Sequence, residues 1–136
     1  MNPILKNILA VILGIFVGGF VNMGLVNLGH SMLPIDGLDP KDMDAYAALV
    51  PTLECKYFIF PFLAHALGTL AGGLVVALIA ANNKMKLAIG VGAFFMLGGI
   101  VAVYWLNSPI WFAALDLIIA YLPMAWIAAK IGRKLF

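Results

Sequence analysis

Residues 57–81 read YFIFPFLAHALGTLAGGLVVALIAA, an apolar run with one histidine and one threonine inside it. At about 1.5 Å per residue such a run covers roughly 37 Å as a helix, against a bilayer hydrocarbon core of about 30 Å. It is long enough to span a membrane, and its polar residues then need a reason to be there. With His65 set at the origin of a wheel of about 100° per residue, Pro61, Gly68, Thr69, Gly72 and Val76 fall within roughly 60° of it. Leu63, Leu67, Leu70 and Leu74 point elsewhere, so one face is small and polar and the rest is greasy.

The whole chain has the same character. Its 136 residues are 65% hydrophobic and 10% charged, with a mean hydropathy of +1.09. That is outside the mixture of a water-soluble domain and implies a single membrane domain over residues 1–136. A net charge of +2 without a basic patch argues against a nucleic-acid partner. Cys55 is the only cysteine, which rules out an intrachain disulfide, a CxxC pair and a cysteine-based zinc site; at the edge of an apolar run it reads as an inert buried thiol. No cofactor ligand set is apparent. Asp36, Asp39, Asp42 and Asp44 lack the spacing of a calcium loop, so no metal site is expected.

Working outward, four spanning helices are expected over about 8–28, 57–81, 87–106 and 110–129. Pro3 is expected to delay the first, which is read as retained rather than cleaved because no A-x-A-like site follows it. That helix carries Gly14 and Gly18, a GxxxG face that lets another backbone approach closely. Gly68 and Gly72 offer the same in the second helix, and Gly92 and Gly99 in the third. Residues 30–56 form the one long polar loop and hold five of the six acidic residues. Asp39 as N-cap and Pro40 as first helical residue predict a short amphipathic surface helix over about 40–49, ended by Pro51.

An even number of crossings puts both termini on one side. Lys6, Lys84, Lys86, Lys130, Arg133 and Lys134 would share that side, leaving Lys41 and Lys56 on the other. Six basic residues against two orient the termini to the cytoplasm, as in a bacterial inner membrane. Trp105 and Trp111 then mark the outer interface, and Tyr121 and Trp126 read as lipid-facing or interfacial aromatics.

Asp116 is the second intramembrane ionisable residue. An acidic side chain at a helix centre costs about 2.5–3.5 kcal/mol on insertion scales, so it needs a partner or water. Ala113, Ala120 and Pro123 share its face, while Leu115, Leu117 and Ile118 turn away. Pro123 leaves the Ile119 carbonyl without its helical donor and is a candidate kink or hinge. Counted from the outer helix ends, Asn22, His65 and Asp116 lie at a similar depth, roughly 9–10 Å in, with Thr69 a turn deeper. The expectation is one polar cluster of Asn22, His65, Thr69 and Asp116.

Two functions follow from that cluster. In one, it binds a proton, cation or small polar solute in a transporter or channel-like module, and the small interior calls for a homo-oligomer. In the other, the polar residues are helix–helix glue in a non-catalytic accessory or scaffold subunit of a larger membrane complex. An enzyme acting on outer-leaflet lipid is a weaker third. Helix count alone marks no family.

Overall fold

The computed structural model describes residues 1–39 and 41–135. The described residues are helical, with no strand: α1 (Pro3–Met32), α2 (Met43–Leu49), α3 (Ile59–Ile79), α4 (Lys84–Leu106), α5 (Ile110–Ile119) and α6 (Leu122–Leu135). Short 3-10 turns occupy Val50–Thr52 and Cys55–Phe58. Four helical segments are long and apolar enough to cross a membrane: α1, α3 with its leading turn, α4, and α5 continued by α6.

Several boundaries differ from expectation, each for a local reason. The helix α1 begins at Pro3 itself. Asn2 caps it through its side-chain oxygen, which accepts from Ile4 N at 2.8 Å, and at the first helical position the proline's missing N–H costs nothing. The cap of α2 is Asp42, accepting from Ala45 N at 3.1 Å. Asp39 instead accepts from Lys41 N at 2.9 Å in a local turn, so the loop helix starts at Met43; Pro40 lies outside the described residues. Cys55 is exposed, not buried, because the chain is still in its approach to the bundle there. The fourth span runs on to Leu135, taking Lys130, Arg133 and Lys134 into helix, and is interrupted at Ala120–Tyr121.

Asparagines make the tight connections. Asn83 (φ 52°) precedes α4 and Asn107 (φ 50°) ends it, both left-handed, a conformation asparagine tolerates better than most residues with a side chain. At this end of the bundle Asn7 of α1 ties down the turn after α3. Its Oδ1 accepts from Ala81 N at 2.9 Å, and its Nδ2 donates to Asn82 Oδ1 at 2.8 Å. Since Gly132 abuts Ala77 near the same end, the start of α1, the α3–α4 turn and the end of α6 lie together.

The helix α3 is central and glycine is why. Lipid tails remove the hydrophobic drive between helices, so association rests on close packing. A Cβ on Gly14 would sit 2.7 Å from the Gly72 carbonyl oxygen, and one on Gly18 2.7 Å from that of Gly68. The reverse pairs are as tight, Gly68 at 2.8 Å and Gly72 at 2.6 Å from their partners' oxygens. The backbones of α1 and α3 therefore touch over two turns. On the other side of α3, Gly73 meets Ala128 of α6, and Gly92 of α4 faces Ala125. Toward the end holding Asn7, Ala10, Val76, Ala80, Ala88, Val91 and Ala129 close the bundle into a solid core.

Candidate functional site

His65 enters the bundle from α3 and Asp116 from α5. The Nδ1 of His65 lies 2.9 Å from both carboxylate oxygens of Asp116. Asp116 is fully buried, whereas the His65 side chain keeps 21% exposure. An ionised carboxylate only accepts hydrogen bonds, so Nδ1 carries the hydrogen shared between the two oxygens. That fixes the tautomer of a neutral His65 and leaves Nε2 as its acceptor. No described residue bonds Nε2.

Tyr121 completes the pair and was read from the sequence as lipid-facing or interfacial. It is 2% exposed, its hydroxyl donates to Asp116 Oδ2 at 3.3 Å, and its ring stacks on His65 with centroids 5.7 Å apart. Tyr121 lies at the interruption of the fourth span. On a continuous helix Tyr121 would stand about 140° around from Asp116, at about 100° per residue. The interruption at Ala120–Tyr121 sits beside the donor that Pro123 removes from Ile119, and the Tyr121 hydroxyl reaches the carboxylate from there. Pro123 was the available signal of it. By contrast Trp126 is exposed, with Lys130 over its ring.

Thr69 and Asn22 are placed differently. Thr69 is 1% exposed and spends its only hydroxyl hydrogen on the His65 carbonyl at 2.8 Å. It braces the turn that presents the imidazole. Asn22 packs against Gly68, and its Oδ1 is buried without a hydrogen-bond partner among the described residues. No hydrogen bond links Asn22 to His65 or Asp116. Of the expected four residues, the structure joins two directly and one through a backbone oxygen, and sets Asn22 beside them.

Two cavities of about 520 Å³ each meet at His65. The first opens on the loop side, under a roof that includes Lys41, Met43 and Tyr46, and reaches down to His65 and Asp116. The second is a lateral groove past Gly18, Asn22, Thr69 and Gly98, edged by Phe94, Leu97 and Val101, three side chains more than half exposed on the apolar exterior. Gly99 and Ala102 line both cavities with His65, so glycine and alanine on α4 open the space around the imidazole. Volumes of this order are those of small-molecule sites.

Chemically, the pair can hold or release one proton and can receive a hydrogen-bond donor or a cation. Among the described residues only two ligating side chains converge, fewer than the three or four protein ligands that hold zinc. Compared with protein-family models, curated proteins and solved structures, the chain matches none.

Proposed function

We propose that this protein is a small membrane transport module in which the His65–Asp116 pair exchanges a proton, or binds a cation or small polar solute, reached from the loop side. The observation that carries the reading is a fully buried carboxylate, bonded at 2.9 Å to an imidazole whose residue lines two cavities. Intramembrane ionisable residues facing a cavity mark pathways by default. Thr69 orients the imidazole through its backbone, Tyr121 orients the carboxylate, and Asn22 lines the groove beside them. The charge bias places the termini in the cytoplasm and the loop with α2 outside, as in a bacterial inner membrane. Reconstitution into liposomes with an internal pH dye tests this: an imposed potential should drive proton movement that Asp116→Asn abolishes at an unchanged folded level.

A second reading, an accessory subunit of a larger complex or a self-associating chain, has one observation in its favour. On the outer face of α1, Gly19 and Gly24 have nothing near the position of a Cβ, beside exposed Phe16 and Phe20; this is a face another helix could cover. Native mass spectrometry from gently extracted membranes distinguishes the two. A retained larger partner, indifferent to Asp116→Asn, would favour the subunit.

A further inference from the structure

We propose that the loop-side cavity binds a lipophilic organic monocation, and that each cation bound displaces one proton from the His65–Asp116 pair. This rests on the reading of that pair as an exchange site. Three features select the ligand class. The floor carries a carboxylate with no basic side chain bonded to it except His65, which favours a cation over an anion. The walls include Tyr46, Tyr57, Phe58, Phe60 and Phe112, apolar and aromatic surfaces suited to a cation with a greasy body. A hard inorganic ion would need six or so oxygen ligands, and here the buried donors are one carboxylate and one imidazole. The lateral groove adds a route from the apolar exterior to the same imidazole, of use only to a ligand that dissolves in lipid.

The exchange follows from charge. With His65 protonated and Asp116 ionised the pair is neutral; with His65 neutral it carries one negative charge, which a low-dielectric surrounding penalises unless a cation lies beside it. Cation and proton together would leave a net positive charge in the same place. Cation in, proton out conserves the charge of the site, and the displaced proton leaves from the imidazole to water in the cavity. The other titratable or charged groups around the cavity are His30 from α1, Lys41 from the loop, Tyr46 from α2 and Tyr57 from the turn before α3, with Tyr121 on Asp116. The part of α4 lining it, from Gly99 to Leu106, contributes none. Of the described groups lining the cavity, only His65 is bonded to the buried carboxylate.

The test uses purified full-length protein in detergent with tetraphenylphosphonium, and with tetraphenylborate as an anion of the same shape. The expected result is phosphonium binding that strengthens about tenfold per pH unit below the titration of the pair and levels off above it. A pH indicator in weak buffer should record close to one proton released per cation bound on the acid side. Asp116→Asn should lose both effects; Asp116→Glu should keep them, which separates lost charge from lost fold. Binding independent of pH in the wild-type chain, or equal binding of the borate, overturns the inference. If the phosphonium is ignored while Asp116-dependent proton movement persists in liposomes, the ligand class is wrong and the exchange reading stands. If neither is seen, both fall.

Discussion

Gly98 and Gly99 are neighbours on α4 that should respond oppositely to the same methyl group. A Cβ at Gly98 meets nothing within 4 Å, whereas one at Gly99 would overlap the Tyr121 hydroxyl and lie 2.6 Å from its ring carbon Cζ. Both substitutions to alanine gain the same helix propensity, up to about 1 kcal/mol, so that gain cancels in the comparison. What remains for Gly99→Ala is overpacking, about 1–3 kcal/mol, plus the loss of the Tyr121–Asp116 hydrogen bond as the ring is pushed aside, about 0.6 kcal/mol inside a membrane protein. Gly99→Ala should therefore be less stable than Gly98→Ala by roughly 1.6–3.6 kcal/mol. Reversible unfolding in mixed micelles, followed by tryptophan fluorescence and circular dichroism, measures the difference. In a Tyr121→Ala background Gly99→Ala should cost less than in the wild type, because the clash is with that ring. Equal stability of the two alanine variants would mean that Tyr121 does not pack on Gly99, and the account of how the carboxylate is held would fail with it.

Three further outcomes are expected. Asn7→Ala removes the two short bonds that tie α1 to the turn after α3 and should cost about 1–3 kcal/mol in the same unfolding assay, with Asn7→Asp in between because it keeps the acceptor. Burial pushes the Tyr46 phenol above its ordinary 10.0; the unfolded chain then ionises first as pH rises, so Tyr46 should weaken the seating of α2 above about pH 10 and not below it. Hydrogen exchange of α2 should show this, and Tyr46→Phe should remove that pH dependence. Replacing Lys41, the one ammonium on the loop-side cavity, by Gln should strengthen phosphonium binding a few-fold at low salt and hardly at all at high salt.

How much of this was legible in the sequence depends on the range of the interaction. The spans are written in runs of twenty or more apolar residues, a signal the bilayer demands. The faces bearing Gly14, Gly18, Gly68 and Gly72 follow from helical spacing, which stays true however the helices are arranged. The inward direction of Asp116 was readable for the same reason, since the wheel holds over Ile110–Ile119. The wheel fails past Ala120, where the helix is interrupted, and Tyr121 was misassigned there. Equal depth also overstated Asn22: level with the site, it faces Gly68, and no hydrogen bond joins it to the pair. The cap of α2 was misplaced because Asp39 and Asp42 are equally good caps in isolation, and the choice between them lies in how the loop returns to the bundle. Neither cavity could be foreseen, because each is what several helices and a loop leave unfilled together.

The position of the space bears on what kind of transport is physically open to this chain. A bundle of this size was expected to have too little interior for a ligand without a second copy, yet both cavities reach His65 within one chain. The roof of loop and α2 makes room on one side, and Gly98, Gly99 and Ala102 make it on the other. Toward the end holding Asn7 the situation reverses: Ala10, Val76, Ala88 and Ala129 are wholly buried against one another. A site reached from the loop side and through the lateral groove, and closed by packed side chains toward the other end, fits a carrier better than a channel if the proposed transport reading holds, since a channel would need a continuous wet path. On the proposed transport reading, release toward that end would require α6 or α1 to move on α3. The seal combines alanines with Val76 and Val91, and Ile15, Met85 and Phe95 pack against it, while the flanking contacts are Gly14 on Gly72 and Gly132 on Ala77. The interruption at Ala120–Tyr121 lies between the sealed end and Asp116, so a tilt of α6 would reach the carboxylate through Tyr121. On that reading Tyr121 is the one residue that would couple movement of the seal to orientation of the charge.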